Sequence, residues 1–495
     1  MSSTRTDTDA VAGVPPEVDD DDADRARSAR GHVRRVAFVA ALGGLLYGYD
    51  TGVISGTLIE IGKDFSIGST VKEFVTAAIL VGAIIGAFFT GPLSRRIGRR
   101  RTILVIAGIF LLGVLFAGLS PNPVLLIASR LFLGLAVGGS TQTIPTYIAE
   151  LTPGEKRGRM VTLFNCAIGV GILAASLVGV VFNGVISWRW MIIAAAAPAI
   201  VLLVGMVRLP ESPRWFVSQE LIEPARRVLR WARDSSHAAE KELGHIQKLN
   251  DKEQDSAGSG WAELRAPWVR PALVAGLIVA AFTQLTGLEM MIYYTPTILT
   301  DAGFPHVYSL WANVGVGVVY LVMTFVGSRV VDRIGRRRLT LIMLPGAALS
   351  IAAFGVLLLV QGGHPSPSLT IVLILLFMFF QAGGIQVVGW LIGSEIYPLR
   401  VRAAATSLHS MTLWGADLLV TSTVLTLAHA ISLGGTMLVY AALNVIGWVL
   451  VFVRVPETKG RSLEEIEQSL RDGDFLPHRG GRSDSSSGGP APSPS

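Results

Sequence analysis

The sequence predicts an all-α membrane protein in which twelve transmembrane helices form two six-helix repeats, with a short cytoplasmic helical insert between them. Hydrophobic residues make up 51% of the 495 residues and charged residues 16%. With a mean hydropathy of +0.53, the chain is too apolar for a protein whose whole surface faces water. Twelve apolar runs are long enough to cross a hydrocarbon core of about 30 Å. The hexapeptide Arg-Ile-Gly-Arg-Arg-Arg at 96–101 recurs at 333–338, which indicates a duplicated unit.

The first apolar run follows an acidic leader at residues 19–24 and a basic cluster at residues 30–35. It lies too far along the chain for a signal peptide and has no small-residue cleavage site, so we expect a retained first span. In the seventh run, Gly287 and Pro296 predict an interrupted helix that closes over the site from outside, or alternatively a simple kink. The predicted spans are 35–58, 73–94, 102–119, 122–146, 160–182, 188–208, 270–295, 308–331, 339–360, 369–393, 403–431 and 435–454.

The distribution of basic residues predicts the orientation of the spans. Lysines and arginines crowd the connections on one side, whereas connections such as 119–123 and 361–368 carry none. The positive-inside rule therefore predicts a multi-pass protein of the cell (cytoplasmic) membrane with both termini in the cytoplasm. The net charge of +6 is explained by these connections, so nucleic acid is not an expected partner. The single cysteine, Cys166, excludes an internal disulfide and a cysteine-based metal site, and no metal or cofactor is expected.

The domain organisation follows from the duplication and from the polar segments. The charged segment between the halves contains helical stretches near 222–234 and 237–249, which predict surface helices. Low complexity predicts disorder at both ends of the chain. The predicted domains are a disordered N-terminus (1–34), a first six-helix bundle (35–208), the cytoplasmic insert (209–268), a second six-helix bundle (269–455) and a cytoplasmic C-terminal tail (456–495).

Further paired motifs identify a family resemblance. Glu150 and Arg157 after the fourth span correspond to Glu395 and Arg402 after the tenth. Pro-Glu-Ser-Pro-Arg at 210–214 similarly corresponds to Pro-Glu-Thr-Lys-Gly at 456–460. With the arginine turns and Gly-Gly-Leu-Leu-Tyr-Gly-Tyr-Asp at 43–50, this set resembles the sugar porter family of the major facilitator superfamily over residues 35–470, and most closely its bacterial sugar–proton symporters. The resemblance implies two parallel six-helix repeats around a central cavity.

Asp50 is an ionisable residue inside an apolar span. A charge at membrane depth costs at least about 2.5–3.5 kcal/mol, so it must face a cavity or a partner. Glycines at 44, 48, 52 and 56 form a packing ridge on the opposite side of the same helix. The resemblance implies that Asp50 carries the coupled proton and that Arg130 is its partner. A static ion pair that only orients the first and fourth helices is the alternative.

The resemblance also implies a set of substrate-binding residues, and this sequence departs from the family pattern at several of them. Thr283 and Glu289 replace amides that usually contact the sugar, and Asp417 replaces a neutral polar residue. Trp390 and Trp414 offer flat apolar faces for a sugar ring. The predicted substrate-binding residues are Tyr47, Asn165, Thr283, Gln284, Glu289, Tyr294, Gln381, Trp390, Trp414 and Asp417.

The two additional carboxylates, Glu289 and Asp417, leave the substrate chemistry open. They could accept hydrogen bonds from the vicinal hydroxyls of a polyol, bind a cationic amine, or form a second proton site. Alternatively, either one pairs with a basic or amide group outside the substrate path. A polyol such as an inositol therefore gains weight against a simple hexose or pentose.

The arginine turns and the paired glutamates predict an ion network that gates the cytoplasmic face. Individually weak surface pairs can together bias a two-state equilibrium by a few kcal/mol. The alternative is that the arginines only determine topology. The family's acidic residue is present as Asp332, but its first-half counterpart is Arg95. The predicted network contains Arg99, Arg100, Glu150, Arg157, Glu211, Asp332, Arg336, Arg337, Glu395, Arg402 and Glu457.

These observations together predict a transporter and no enzymatic activity. The expected function is proton-coupled secondary active import of a monosaccharide or polyol, possible substrates including an inositol, by alternating access through a monomer in the lipid bilayer. The absence of a Gly-x-x-x-x-Gly-Lys-Ser/Thr loop excludes an ATP-driven pump of that type. A passive facilitator of the same fold and a non-transporting sugar sensor are the alternatives.

Overall fold

The computed structural model describes residues 22–255, 260–361, 365–398 and 400–477, and within these ranges it is almost entirely helical. Eleven of the described helices are long and apolar enough to cross a membrane, and a twelfth span consists of two helices, Ala404–Thr421 and Val424–Ile431, bent by 40° at a break. The predicted all-α transmembrane fold is thus confirmed.

The first half contains seven helices that make up six spans. Its first, second and third spans are connected by short turns, and the sixth span is split into two helices. These helices are α1 (Asp22–Asp64), α2 (Ser69–Ile97), α3 (Arg99–Gly118), α4 (Pro123–Leu151), α5 (Gly154–Val181), α6 (Trp188–Ile193) and α7 (Ala196–Val207).

The insert and the second half follow. The insert contributes α8 (Pro213–Ser218), α9 (Ile222–Ala232), α10 (Ser236–Asp255) and α11 (Gly260–Glu263). The second half contains α12 (Arg270–Leu285), α13 (Leu288–Asp301), α14 (His306–Ile334), α15 (Arg336–Val360), α16 (Pro367–Gly383), α17 (Ile385–Glu395), α18 (Arg402–Thr421), α19 (Val424–Ile431), α20 (Leu433–Arg454) and, in the tail, α21 (Leu463–Asp472). We call the membrane side that carries the insert the insert face and the other side the opposite face.

The first helix begins much earlier than predicted. Residues 22–34, predicted to be disordered, are helical. Contacts with the insert explain this extension, because Ala29 and Val33 are buried and the His32 ring stacks on Trp231 of α9 with centroids 4.3 Å apart. Residues 1–21 and 478–495, which complete the predicted terminal segments, lie outside the described residues.

Four spans are broken, of which only the seventh was predicted. Its break is at Gly287, whose φ of +95° is accessible to glycine at little cost. Pro296 lies within α13 instead of ending a helix, so the prediction placed part of the interruption wrongly. The sixth, tenth and eleventh spans are broken at residues 194–195, at Gly384 and at residues 422–423. Breaks of this kind free backbone groups near the middle of a bundle, where transporters bind their substrates.

Small residues bring helices of the first half close together. The ridge on α1 packs against α5: a Cβ added at Gly48 would overlap the backbone of Ile168, and one at Gly52 would overlap the backbone of Ile172. Gly134 of α4 lies equally close to the backbone of α2. Such close backbone contacts are the usual means of helix association in a lipid environment. They hold α1, α2, α4 and α5 as one packed group.

Candidate functional site

A buried ion pair joins α1 to α4 in the first half. The Arg130 guanidinium donates through Nη1 and Nη2 to the two carboxylate oxygens of Asp50, at 3.3 Å each. Its Nε donates to the Val75 carbonyl of α2 at 2.7 Å. Asp50 is only 3% exposed and Arg130 1%, so neither charge is screened by water. Protonation of Asp50 would therefore remove the main charge that compensates Arg130.

Close to the α12–α13 break, buried polar groups lack partners. Within the described part of the chain, neither the amide nitrogen nor the amide oxygen of Gln284 has a hydrogen-bond partner, although the residue is fully buried. The same holds for Oε2 of Glu289, Nε1 of Trp414 and Oδ2 of Asp417. A buried polar group left unpaired costs about 1–3 kcal/mol, so such groups are rare in folded proteins. Their concentration here marks a site for a polar ligand.

Aromatic rings connect this site to the first half. The Tyr47 ring of α1 meets the Trp414 ring of α18 edge-on with centroids 5.7 Å apart, and Trp390 contacts the other side of Trp414 at 6.2 Å. Tyr47 and Asp50 are three residues apart on α1 and therefore on one face of that helix. The same stretch of α1 thus carries both a ring at the ligand site and the carboxylate of the ion pair.

Three predicted binding residues have other partners. The Thr283 hydroxyl donates to the Val279 carbonyl at 2.7 Å, and the side chain packs against Gly389 of α17, where no Cβ would fit. The Tyr294 hydroxyl donates to the Thr421 carbonyl at 2.8 Å. Hydrogen bonds to backbone carbonyls satisfy both hydroxyls, so they serve helix packing in this conformation.

Gln381 is likewise structural. Its amide nitrogen donates to Asn444 at 2.6 Å, and its amide oxygen accepts from Thr286 at 3.3 Å. Asn444 in turn donates to the Thr286 carbonyl at 2.9 Å. This network supports the end of α12 next to Gly287. It positions Gln284 without leaving Gln381 free for a ligand.

Polar residues on the insert side of the site are partly exposed. Asn165, predicted to bind substrate, lies in the insert-side half of α5, and Trp390 occupies a comparable level on α17. Nearby, the Gln142 amide of α4 donates to the Ser410 hydroxyl of α18 at 2.6 Å, a contact between the two halves.

At the opposite face the two halves are joined by buried hydrogen bonds. The Glu73 carboxylate of α2 accepts from the backbone amides of Leu425 and Thr426 at 2.7 and 2.9 Å and from the Thr426 hydroxyl. It thereby caps the N-terminus of α19, where the helix dipole favours an anion. Asn313 of α14 also connects the halves, donating to Ser176 at 3.1 Å and accepting from Ser55 at 3.3 Å.

The arginine turns at the insert face have the same construction in both halves. Gly98 and Gly335 have φ values of +98° and +105°, and a Cβ on either would collide with the carboxylate of Glu211 or Glu457. These carboxylates accept backbone amides of the turn, Glu211 from Arg100 at 3.0 Å and Glu457 from Arg336 at 2.8 Å. Burial raises the pKa of the Glu211 carboxyl, and the backbone amide hydrogen bonds oppose this shift.

Ion pairs complete each turn within its own half. Arg99 pairs with Glu150 at 3.0 Å, and Arg336 pairs with Glu395 at 2.6 Å. Arg336 also contacts Asp332 at 2.9 Å, a partner that the first half lacks because Arg95 occupies the matching position. In the first half, the Ser212 hydroxyl provides a further hydrogen bond to the Glu150 carboxylate.

The prediction that all the network arginines pair with glutamates is corrected for four of them, whose side chains bond to backbone carbonyls. The carbonyls near a helix C-terminus have no partner within the helix and carry partial negative charge, which attracts a cation. These bonds run from Arg100 to Met206 and Val207, from Arg157 to Ala149, from Arg337 to Phe452 and from Arg402 to Tyr397.

Sequence reasoning missed Glu73, Asn313 and the buried His409. Glu73 stands at the start of a predicted span, where charges are common, and its partners are backbone amides in the other half. His409 lies inside the eleventh span and could have been noticed as an ionisable residue. Its Nε2 bonds to the Gly389 carbonyl at 2.9 Å and its Nδ1 to the Tyr397 hydroxyl at 3.1 Å.

Known proteins resemble this chain over almost its whole length. A family model described as "Sugar (and other) transporter" matches residues 36–470. A glucose transporter from Staphylococcus epidermidis is 38% identical, with 88% of this chain and 97% of the relative covered. The major myo-inositol transporter of Bacillus subtilis is 37% identical (92% and 97% covered), and the galactose-proton symporter of Escherichia coli K12 is 38% identical (88% and 94% covered).

A solved structure agrees with the fold. The xylose transporter of E. coli, in a partially occluded inward-open conformation, superimposes with a TM-score of 0.77 at 26% identity. The match covers 87% of this chain and all of the solved one. Together with the two six-span halves and the family match, this shows that the chain belongs to the sugar porter family of the major facilitator superfamily.

Proposed function

We propose that this protein imports a monosaccharide or polyol together with a proton by alternating access. The observation that carries the proposal is the arrangement on α1, where Tyr47 contacts the ligand site through Trp414 and Asp50 forms the buried pair with Arg130. A change in the charge of Asp50 can therefore move the helix that also lines the ligand site. The E. coli relative named a galactose-proton symporter supports proton coupling.

The insert face is proposed to be cytoplasmic, because the basic connections concentrate there. On this assignment the structure is closed toward the outside by Glu73 and Asn313, and it faces inward. The relative solved in an inward-open conformation has a similar backbone. Substrate would leave this conformation past Asn165 and Trp390, across the cell membrane into the cytoplasm.

Coupling follows from the cost of charge in a dry site. Protonation from outside neutralises Asp50 and releases Arg130 from one partner, which allows α1 to shift against α4 during the transition. Each positive charge moved inward through the whole potential gains about 2.3 kcal/mol per 100 mV. This driving force is large enough to concentrate a neutral sugar.

Substrate hydroxyls are proposed to satisfy the buried polar groups that have no protein partner. Gln284 can donate and accept at once, and the ring of Trp414 offers an apolar face with a free indole N–H at its edge. Tyr47, Glu289 and Asp417 surround the same point. The similarity to a myo-inositol transporter keeps a polyol among the candidates.

The ion networks are proposed to keep each half rigid while the halves rock. The pairs Arg99–Glu150 and Arg336–Glu395 join helices of one half only, so rocking need not break them. The contacts that change would be those between halves, at Glu73 and Asn313 on one side and at Gln142 on the other. A monomer contains every residue this mechanism requires.

The proposal is tested by uptake into proteoliposomes with a panel of pentoses, hexoses and inositols, recording internal pH at the same time. We expect at least one panel member to be accumulated with proton influx, and an uncoupler to abolish the accumulation. Absence of proton influx with every transported sugar would contradict the symport mechanism and favour a passive facilitator. Binding without uptake would favour a sensor.

The variant Asp50→Asn separates coupling from binding. It should lose uncoupler-sensitive accumulation but retain exchange of labelled for unlabelled sugar, which requires a folded protein with an intact ligand site. Asp251→Asn, at an exposed position of α10, is the matched control and should retain both activities. Unchanged accumulation in Asp50→Asn would remove Asp50 from the coupling step.

A further inference from the structure

Two carboxylates face each other in the ligand site without a cation between them. Glu289, the second residue of α13, and Asp417 of α18 interact electrostatically, and both are buried. The Thr421 hydroxyl donates to Oδ1 of Asp417 at 3.0 Å. Among the described residues, Oε2 of Glu289 and Oδ2 of Asp417 have no hydrogen-bond partner.

The protein does not supply the missing positive charge in this conformation. The neighbouring cation is Arg130, but its guanidinium already bonds to both oxygens of Asp50 and to the Val75 carbonyl. The ion pairs and hydrogen bonds seen within the described ranges bring no lysine, arginine or histidine to Glu289 or Asp417. Two like charges in a low-dielectric site repel each other strongly unless a cation or a proton joins them.

The surroundings of the pair suit an organic cation. Tyr47, Tyr293 and Tyr320 lie close enough to interact electrostatically with the carboxylates, and all three side chains are buried. Trp414 adds a further aromatic ring next to Tyr47. Aromatic faces attract cations, and an ammonium group has three donors that can be shared between two carboxylates.

Gln284 provides an independent sign that a hydroxyl-bearing ligand fills this space. Both atoms of its amide are unpartnered at full burial in the described structure, and the residue lies directly before the α12–α13 break from which Glu289 extends. An amide of this kind recognises a sugar hydroxyl. The carboxylate pair needs a positive charge, which a neutral sugar lacks.

We propose that the site prefers a sugar or cyclitol that carries a protonated amino group. The ammonium lies between Glu289 and Asp417, and the hydroxyls of the ring bond to Gln284. The inference rests on the proposed sugar transport and specifies its substrate class. A neutral sugar leaves the pair to be joined by a proton and therefore binds more weakly.

The test compares each neutral sugar with its amino derivative in the same proteoliposomes. Glucosamine, galactosamine and N-acetylglucosamine are used as competitors of labelled sugar uptake, beside glucose and galactose, at a pH where the amines are protonated. We expect the amino sugar to compete at a concentration at least tenfold lower than its neutral parent. The N-acetyl derivative, which has the extra group but no charge, should show no such advantage.

Variants then assign the preference to the carboxylates. Glu289→Gln and Asp417→Asn should each bring the ratio of amino to neutral sugar affinity close to one, whereas Asp251→Asn should leave it unchanged. Because the ratio is taken within one preparation, a smaller folded fraction does not alter it.

Equal competition by amino and neutral sugars in the unmodified protein would overturn the inference, as would a preference that survives both substitutions. If neutral sugars move protons while amino sugars gain nothing, only this inference fails. If no sugar moves protons, the failure belongs to the proposed symport.

Discussion

At the scale of single residues, Gln284 and Gln381 show how one residue type takes two roles within the same half. Both amides are fully buried. Gln381 is bonded to Asn444 and Thr286, whereas in the described structure Gln284 meets no partner. Since an unpaired buried amide is costly, the first role is structural and the second is reserved for a ligand.

Substitution of the two glutamines should separate these roles. Gln284→Ala removes only bonds to substrate, worth about 1–3 kcal/mol together, so the apparent affinity for the transported sugar should fall roughly 10–100-fold. Its melting temperature should stay near that of the unmodified protein. Gln381→Ala leaves Asn444 and Thr286 unpaired and should lower the melting temperature. Sugar-competition assays and thermal unfolding in detergent measure the two effects, and the reverse assignment would contradict the proposed site.

At the scale of elements, the arginine turns are small caps that connect successive helices. In each turn a glutamate from beyond the sixth span of that half binds the first backbone amides of the helix after the glycine. The arginines occupy carbonyls at other helix ends, so one turn satisfies an N-terminus and a C-terminus at once. The glycine is required because its φ is positive and because the carboxylate occupies the place of a Cβ.

Alanine at the turn glycine should therefore be costly. Gly98→Ala introduces backbone strain of about 1–3 kcal/mol and displaces Glu211 from the α3 N-terminus, so the protein should unfold at a clearly lower temperature. Gly108→Ala is the matched control, because this glycine is within α3 and nothing lies within 4 Å of an added Cβ. The control should be neutral or slightly stabilising. Equal melting temperatures for the two variants would show that the turn tolerates a side chain.

At the scale of the whole molecule, the two halves are held together differently from the way each half is held internally. Within a half, ion pairs and close glycine contacts join the helices. Between halves at the opposite face, the described contacts are hydrogen bonds at a few points, of which the Glu73 cap on α19 combines two backbone amides and a hydroxyl. Opening the outside requires these few bonds to break.

Glu73→Gln should accordingly shift the equilibrium toward the outward-open form. The amide keeps one acceptor but loses the charge that favours the α19 N-terminus, which is worth about 0.3–2 kcal/mol. In a Cys166→Ser background, Ser176→Cys reports opening, because Ser176 is buried beside Asn313 between the halves. An impermeant maleimide added outside should label this cysteine several-fold faster when Glu73 is glutamine. Ser69→Ala, which removes an exposed bond to His429, should change the rate little. A rate unaffected by Glu73→Gln would exclude the cap as a closing contact.

The sequence could predict what leaves a signal in the chain itself. Asp50 and Arg130 were identifiable because a charge within an apolar run is rare, and the fold followed from twelve such runs. Glu73 escaped because its partners are backbone amides more than 350 positions away in the chain. Gln381 was assigned to the substrate because an amide has the same chemistry whether it faces a cavity or Asn444. The break at Gly384 gave no signal, because glycines are frequent throughout these helices.

The confinement of the ion networks to single halves has a consequence for how the chain is made. Glu150, Glu211 and Ser212 all precede the second half, so the first arginine turn has its complete set of partners as soon as residue 212 has left the ribosome. Domains generally fold in order of synthesis. The first bundle can therefore assemble in the membrane while the second is still being translated, and the insert separates these two events in time as well as in space.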